Sequence, residues 1–181
     1  MLEKIIAYHC APALAGIKPA NIVACYNDKI PNLRSEINRL NKEMNKRNIY
    51  FEILCECDKR ALIMVYRQEN LIRHLTKKES LSFLKSSGYP QNFMLKSYID
   101  FLKERLKSKN FPHEIGVFLG YPLPDIYGFI NHEPYLFAGD WKVYHNEQQM
   151  RRLFNRYKSC RNAVLKRLSQ GSTLAQIFCA A

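Results

Sequence analysis

The stretch HEIGVFLGYP, residues 113–122, combines an apolar run with two ionisable residues at its start and a Gly-aromatic-Pro turn at its end. Its length and apolar content predict a buried strand, which we take as the central element of the fold. Alternation along that strand would direct His113 and Glu114 to opposite faces. Gly116 and Gly120 would allow another part of the molecule, or a ligand, to approach the backbone closely.

The segments around this stretch show both helical and strand periodicity. Apolar residues recur at helical spacing within residues 31–47, 95–106 and 147–168. Residues 49–55 and 61–66 are β-type runs whose polar link predicts a hairpin, and residues 5–10 predict a short strand. The pattern indicates one α+β domain over residues 1–181, with a mixed sheet of about four to five strands and about five helices.

The chain is strongly basic, with 28 Lys and Arg against 16 Asp and Glu and a net charge of +12. This excess indicates an anionic partner, which could be nucleic acid, a phosphorylated small molecule or an acidic protein. The alternative is that the basic residues only keep the surface solvated. For nucleic acid the net charge is the only indication, because the sequence contains no Gly-rich phosphate loop and no RNA-recognition aromatic motif.

Other bulk features bear on the compartment. No apolar run approaches the roughly 20 residues that span a bilayer, and the first residues include Glu3 and too short an apolar core for a signal peptide. The six cysteines contain no C-x-x-C pair. We therefore expect a cytoplasmic protein with reduced thiols and no membrane partner.

Arg161 is the most informative single charge, because it lies inside the apolar stripe of the predicted helix at residues 147–168. A guanidinium cannot lose its proton to escape burial, so it needs a carboxylate, several carbonyls or a bound anion. Alternatives are that Arg161 extends to solvent or forms a structural pair with Glu114 or Asp125.

Cys10 is a candidate nucleophile, for which His113 and Glu114 would supply the base. The adjacent His9 would face the other way on a strand. The alternative is an inert, buried thiol. These four residues lack the spacing of a known metal motif, so we predict no metal site, and the sequence identifies no cofactor.

Trp141 and Lys142 form a further candidate pair. An aromatic ring beside a lysine can stack on a planar ligand and bind an anion. The alternative is a core tryptophan next to a solvated lysine.

Four motifs occur in order along the chain: HCAP at residues 9–12, HEIGVFLGYP at 113–122, WKVY at 141–144 and CR at 160–161. Together they resemble a domain-of-unknown-function family of small proteins found mainly in anaerobic Gram-positive bacteria. The resemblance spans nearly the whole chain and implies a stand-alone single-domain protein, without implying an activity. The chain departs from the family pattern at Ala138 and Asp140.

The leading hypothesis is a domain that binds a small ligand or anion in one pocket where these distant segments meet. Ligand contacts would come from His9, Tyr121, Trp141, Lys142 and Arg161, and any chemistry from Cys10, His113 and Glu114. The competing hypothesis is binding of nucleic acid or an acidic protein through the basic outer face of the C-terminal helix. A third is an interaction protein without a site. Whether the protein is an enzyme, and its oligomeric state, stay open.

Overall fold

A three-stranded antiparallel sheet organises the fold in a computed structural model that describes residues 1–108 and 111–179. Its strands are β1 (Ala20–Tyr26), β2 (Ile49–Glu56) and β3 (Arg60–Arg67), in the order β1-β3-β2. The central strand β3 pairs with β1 without interruption and with β2 across one register shift. The hairpin predicted for residues 49–66 is therefore confirmed.

Both faces of this sheet are buried. Ile63 and Val65 of β3 belong to one hydrophobic core, whereas Met64 and Tyr66 belong to another on the opposite face. Strand residues alternate between faces, so a strand covered on both sides needs a continuous apolar run. The ALIMVY sequence of β3 meets that need.

Helices cover each face of the sheet. The first core includes residues of α1 (Leu2–Leu14), α2 (Leu33–Met44), α8 (Glu147–Ser169) and α9 (Leu174–Cys179). The second includes residues of α3 (Gln68–Leu75), α4 (Lys78–Ser86), α5 (Leu95–Leu106), α6 (Ile115–Phe118) and α7 (Leu123–Ile130). A 3-10 turn, Asn45–Arg47, follows α2. No helix within the described ranges is long and apolar enough to cross a bilayer.

A second, smaller sheet lies between α7 and α8. It consists of β4 (Phe137–Ala138) and β5 (Lys142–Val143), which pair antiparallel. Trp141 and Val143 pack there with Met150 and Tyr157 of α8. This third cluster joins the β4–β5 hairpin to α8, the long C-terminal helix.

The α+β class is confirmed, and so are the helices predicted within residues 31–47, 95–106 and 147–168. The arrangement differs from the expected mixed sheet with about five helices. The described residues form two antiparallel sheets, of three and two strands, and nine α-helices. Several of those helices are too short for sequence periodicity to reveal them.

The strand predicted at residues 5–10 is wrong, because these residues lie within α1. Ile6 and Cys10, four positions apart, are both fully buried, as expected for one face of a helix. Pro12 lies in the last turn of α1, where its missing N–H removes only one hydrogen bond from the helix. An apolar run of this length is compatible with either structure.

The central strand predicted at residues 113–122 is also wrong. The segment forms α6, one helical turn, in which the Leu119 N–H donates to the Ile115 carbonyl at 3.0 Å. The Tyr121 N–H then donates to the Gly116 carbonyl at 2.9 Å and turns the chain. Because the segment is helical, the two-faced alternation expected of a strand does not exist, and all four residues of α6 are buried.

The close backbone approach expected at Gly120 is confirmed. Gly120 has a φ of +73°, and an added Cβ would lie 2.6 Å from the Cδ of Pro19. Pro19 belongs to the loop between α1 and β1, so this contact fixes that loop against the end of α6. The loop carries Lys18.

We expect the change Gly120→Ala to lower the free energy of unfolding by about 3 kcal/mol, because it adds a clash with Pro19 to the cost of a left-handed backbone. Urea denaturation followed by the fluorescence of the single tryptophan measures this. Gly171→Ala is the matched control, since Gly171 has a φ of +91° with no atom within 4 Å of an added Cβ. The control should cost about 1 kcal/mol. Equal losses in the two variants would contradict the Pro19 contact.

Candidate ligand-binding clefts

Two adjoining clefts lie beside β1 and share four wall residues, namely Ile22, Leu119, Tyr121 and Asp140. The larger has a volume of about 480 Å³, and we call it the cationic cleft because its wall includes Lys18, Lys158 and Arg161. The smaller has a volume of about 320 Å³, and we call it the apolar cleft. Its own wall includes Phe111, Ile115, Ile126, Phe129 and Trp141.

The backbone around Lys18 is fixed on both sides. The Pro12 carbonyl, at the end of α1, accepts hydrogen bonds from the N–H groups of Ile17 at 3.0 Å and Lys18 at 3.2 Å. Gly16 reverses the chain with a φ of +76°, a conformation that glycine adopts without strain. With Pro19 held against Gly120, the loop has little freedom to move Lys18 out of the cleft.

The Lys18 ammonium lies among three aromatic rings. Its Nζ is 5.3 Å from the ring centroid of Tyr121 and 5.7 Å from those of Trp141 and Tyr157. The residue is 5% exposed, and no described residue accepts a hydrogen bond from Nζ or pairs with it as an ion. Burial lowers the pKa of Lys18 to about 8, although the nearby Asp140 carboxylate opposes that fall. Ring faces attract a cation, but they do not replace a hydrogen-bond acceptor.

Arg161 forms a two-pronged ion pair with Asp140. Its two terminal nitrogens donate to the two carboxylate oxygens at 2.7 and 3.2 Å. As expected, this guanidinium pairs with a carboxylate, but the partner is neither Glu114 nor Asp125. A guanidinium has five N–H groups, so this pair uses two of them and leaves three for other partners.

Two neutral polar side chains complete the wall. The Asn21 side-chain oxygen accepts from the Ala13 N–H at 3.2 Å, which leaves the Asn21 amide hydrogens without an acceptor among the described residues. Partial burial, and secondarily the charge of Arg161, lower the pKa of His9, which favours its neutral imidazole. The polar wall is therefore rich in donors, and its one carboxylate is already paired.

Asp125 explains why Trp141 is positioned at the junction of the two clefts. This buried carboxylate accepts from the Trp141 indole N–H at 2.7 Å and from the backbone N–H groups of Tyr144 and His145 at 2.8 and 3.0 Å. The indole in turn stacks on Tyr121, with ring centroids 4.5 Å apart. Asp125 is thus a positioning residue for the aromatic rings around Lys18.

Most of the site residues predicted from the sequence line one cleft or the other. His9 and Arg161 line the cationic cleft, and Tyr121 lines both. The apolar cleft includes Trp141 together with two exposed residues, His113 and Lys142. His113 packs edge-on against Phe129, and the Lys142 Nζ lies 5.7 Å from the same ring.

Cys10 and Glu114 line neither cleft. Cys10 is fully buried in the core formed with α1, and this burial raises the pKa of its thiol. Glu114 precedes α6, on the other face of the sheet, and accepts from the Arg105 Nε at 2.8 Å. The structure thus does not bring Cys10 together with His113 and Glu114. Within the described ranges, no three His, Cys, Asp or Glu side chains group as metal ligands.

Sequence reasoning missed Lys18, Asn21 and Asp140. A signal for Lys18 was present, because it is the only Asp, Glu, Lys or Arg between Lys4 and Asp28. A lone charge in a long uncharged stretch is a candidate for burial with a specific role. No such pattern marks Asp140, whose importance depends on the fold.

We expect Cys10 to react with a disulfide reagent on the order of a hundredfold more slowly than Cys57 at pH 7.5, because a buried thiol reacts only when the protein opens. Cys57 is exposed, and backbone hydrogen bonds from Lys59 and Arg60 lower its pKa. Peptide mapping of the labelled protein identifies each site, and Cys57→Ser is the control. Rapid labelling of Cys10 that His113→Ala abolishes would restore these residues as a catalytic pair.

Comparison with known proteins places the chain in a family without placing it beside a characterised protein. No curated protein and no solved structure matches it. A family model matches residues 6–178, and its description is "Protein of unknown function (DUF3793)". This match covers nearly the whole chain, as the four sequence motifs implied. The chain belongs to the DUF3793 family.

Proposed function

We propose that this protein binds a small anionic molecule in the cationic cleft. The observation that carries the proposal is Lys18, which is 5% exposed, lines the cleft with its ammonium beside aromatic rings, and has no acceptor for that ammonium among the described residues. A buried charge without a hydrogen-bonded partner is costly. A carboxylate or phosphate in the cleft would supply that partner.

The remaining polar groups of the cleft favour the same sign of ligand. Arg161 and Asn21 offer N–H donors, and Lys158 adds an exposed cation at the rim. The Asp140 carboxylate is neutralised by Arg161, so it does not present a free negative charge to the ligand. An anion in the cleft therefore meets several hydrogen-bond donors and a net positive potential, whereas a cation meets no unpaired carboxylate on the described wall.

In the competing hypothesis, the protein would bind nucleic acid through the outer face of α8. One of its cations, Arg151, already pairs with Glu147 and packs on the Phe137 ring, with its guanidinium carbon 4.1 Å from the centroid. Arg152 and Arg156 remain exposed. Arg151, Arg152 and Arg156 line neither of the two clefts, so their substitution distinguishes the two hypotheses.

We expect inorganic phosphate and acetate to bind, and the variants Lys18→Met and Arg161→Gln each to weaken binding about tenfold or more, because each removes a charged donor. Arg161→Gln also leaves Asp140 unpaired, which repels an anion. Isothermal titration calorimetry and Trp141 fluorescence measure the affinity. Asp140→Asn should tighten binding, since it removes the one negative charge and frees the guanidinium.

Arg156→Gln is the matched control and should change the affinity by less than about twofold, because it removes a cation of α8 that lines neither cleft. Affinity in the unmodified protein should fall as the pH rises through about 8, where Lys18 loses its proton, and this step should be absent in Lys18→Met. Weaker binding in Asp140→Asn, or an affinity insensitive to Lys18, contradicts the proposal. Salt-sensitive binding to generic DNA that only Arg152 and Arg156 control would support the competing function.

A further inference from the structure

A simple anion bound in the cationic cleft makes no use of the apolar cleft. The apolar cleft has a volume of about 320 Å³ and lies beside aromatic and aliphatic side chains. A cavity of about 150 Å³ accommodates benzene, so this cleft has space for an apolar group of about ten carbon atoms. Ligand pockets in proteins are mostly apolar with a few placed polar groups, and the two clefts together have that composition.

The polar and apolar parts lie within the reach of one small molecule. Tyr121 lines both clefts, and its ring centroid is 5.3 Å from the Lys18 Nζ. Trp141, at 5.7 Å from the same Nζ, lines the apolar cleft. A head group bound to Lys18 would therefore be separated from the apolar wall by about the width of one aromatic ring. Asp140 stands on the shared wall, but its pairing with Arg161 removes its repulsion of an anion.

We infer that the ligand is an amphipathic organic acid, whose anionic head lies in the cationic cleft and whose apolar body lies in the apolar cleft. The inference rests on the proposed function and adds the class of ligand. The head is recognised by Lys18, Arg161 and Asn21. The body packs against Trp141, Ile126 and Phe129, where it displaces water from apolar surface.

A chain-length series tests this inference. Acetate, butanoate, hexanoate and octanoate are titrated below their aggregation concentrations, with octanol and octylamine as uncharged and cationic counterparts. Each added methylene should tighten binding about fourfold until the apolar cleft is full, because burial of a methylene from water contributes about that factor. Octanol and octylamine should bind more weakly than octanoate.

Two double variants locate the apolar body. Phe111→Ser with Phe129→Ser removes two half-exposed rings from the apolar cleft and should reduce the gain per methylene, measured relative to acetate in the same variant. Met94→Ser with Leu136→Ser removes two similarly exposed apolar residues that line neither cleft, and it should leave the series unchanged. All four positions are exposed, so circular dichroism should show an intact fold.

Each outcome has a defined meaning. Binding of acetate and phosphate without a chain-length gain overturns the amphipathic ligand and leaves anion binding in place. The inference is also overturned if Met94→Ser with Leu136→Ser abolishes the gain per methylene while Phe111→Ser with Phe129→Ser keeps it. Octanol that binds as tightly as octanoate, with Lys18→Met having no effect on either, overturns both the inference and the proposed function.

Discussion

The site depends on one unfavourable placement: Lys18 is only 5% exposed, and its ammonium lies beside three ring faces with no hydrogen-bond acceptor among the described residues. One pKa unit corresponds to about 1.4 kcal/mol, so a pKa that falls from 10.5 to about 8 makes the charged form about 3 kcal/mol less favourable than in an exposed lysine. Between those two pH values the unfolded chain holds a proton that the folded protein has lost. Stability therefore rises with pH across that interval, and the full cost is present below pH 8.

Much of the surrounding structure keeps this charge in place. Gly16 and the Pro12 carbonyl set the loop, and the contact of Pro19 with Gly120 fixes it against α6. Asp125 uses its hydrogen bonds to hold Trp141 beside the ammonium. A cost retained with this much support is typical of a functional site, because a solvated lysine at the same position would be more stable. A bound anion would recover part of that cost by pairing with Lys18, as any ligand specific for the folded state stabilises it.

The sequence predicted the long periodic elements well, and it predicted the short apolar ones poorly. The helical stripe of α8 and the β2–β3 hairpin follow from patterns of sufficient length. The strand predictions at residues 5–10 and 113–122 are wrong because a short run that is buried on all sides has no distinguishing period. The candidate residues His9, Tyr121, Trp141, Lys142 and Arg161 do line adjoining clefts, and the charge of Arg161 inside an apolar stripe is the clearest of their signals in the sequence. The pairing of Arg161 with Asp140 could not be predicted, because it depends on how the β4–β5 hairpin packs against α8.

The most direct measurement is the titration of the Lys18 side chain by nuclear magnetic resonance, in protein carrying ¹³C- and ¹⁵N-labelled lysine, with Lys18→Met to assign the signal. We expect a pKa of about 8, ring-current shifts at the ε-methylene from the three aromatic neighbours, and a rise in that pKa when octanoate is added. A pKa near 10.5, without ring-current shifts and without a response to octanoate or phosphate, would contradict the central claim that this ammonium is buried and lacks a partner that an anion can supply.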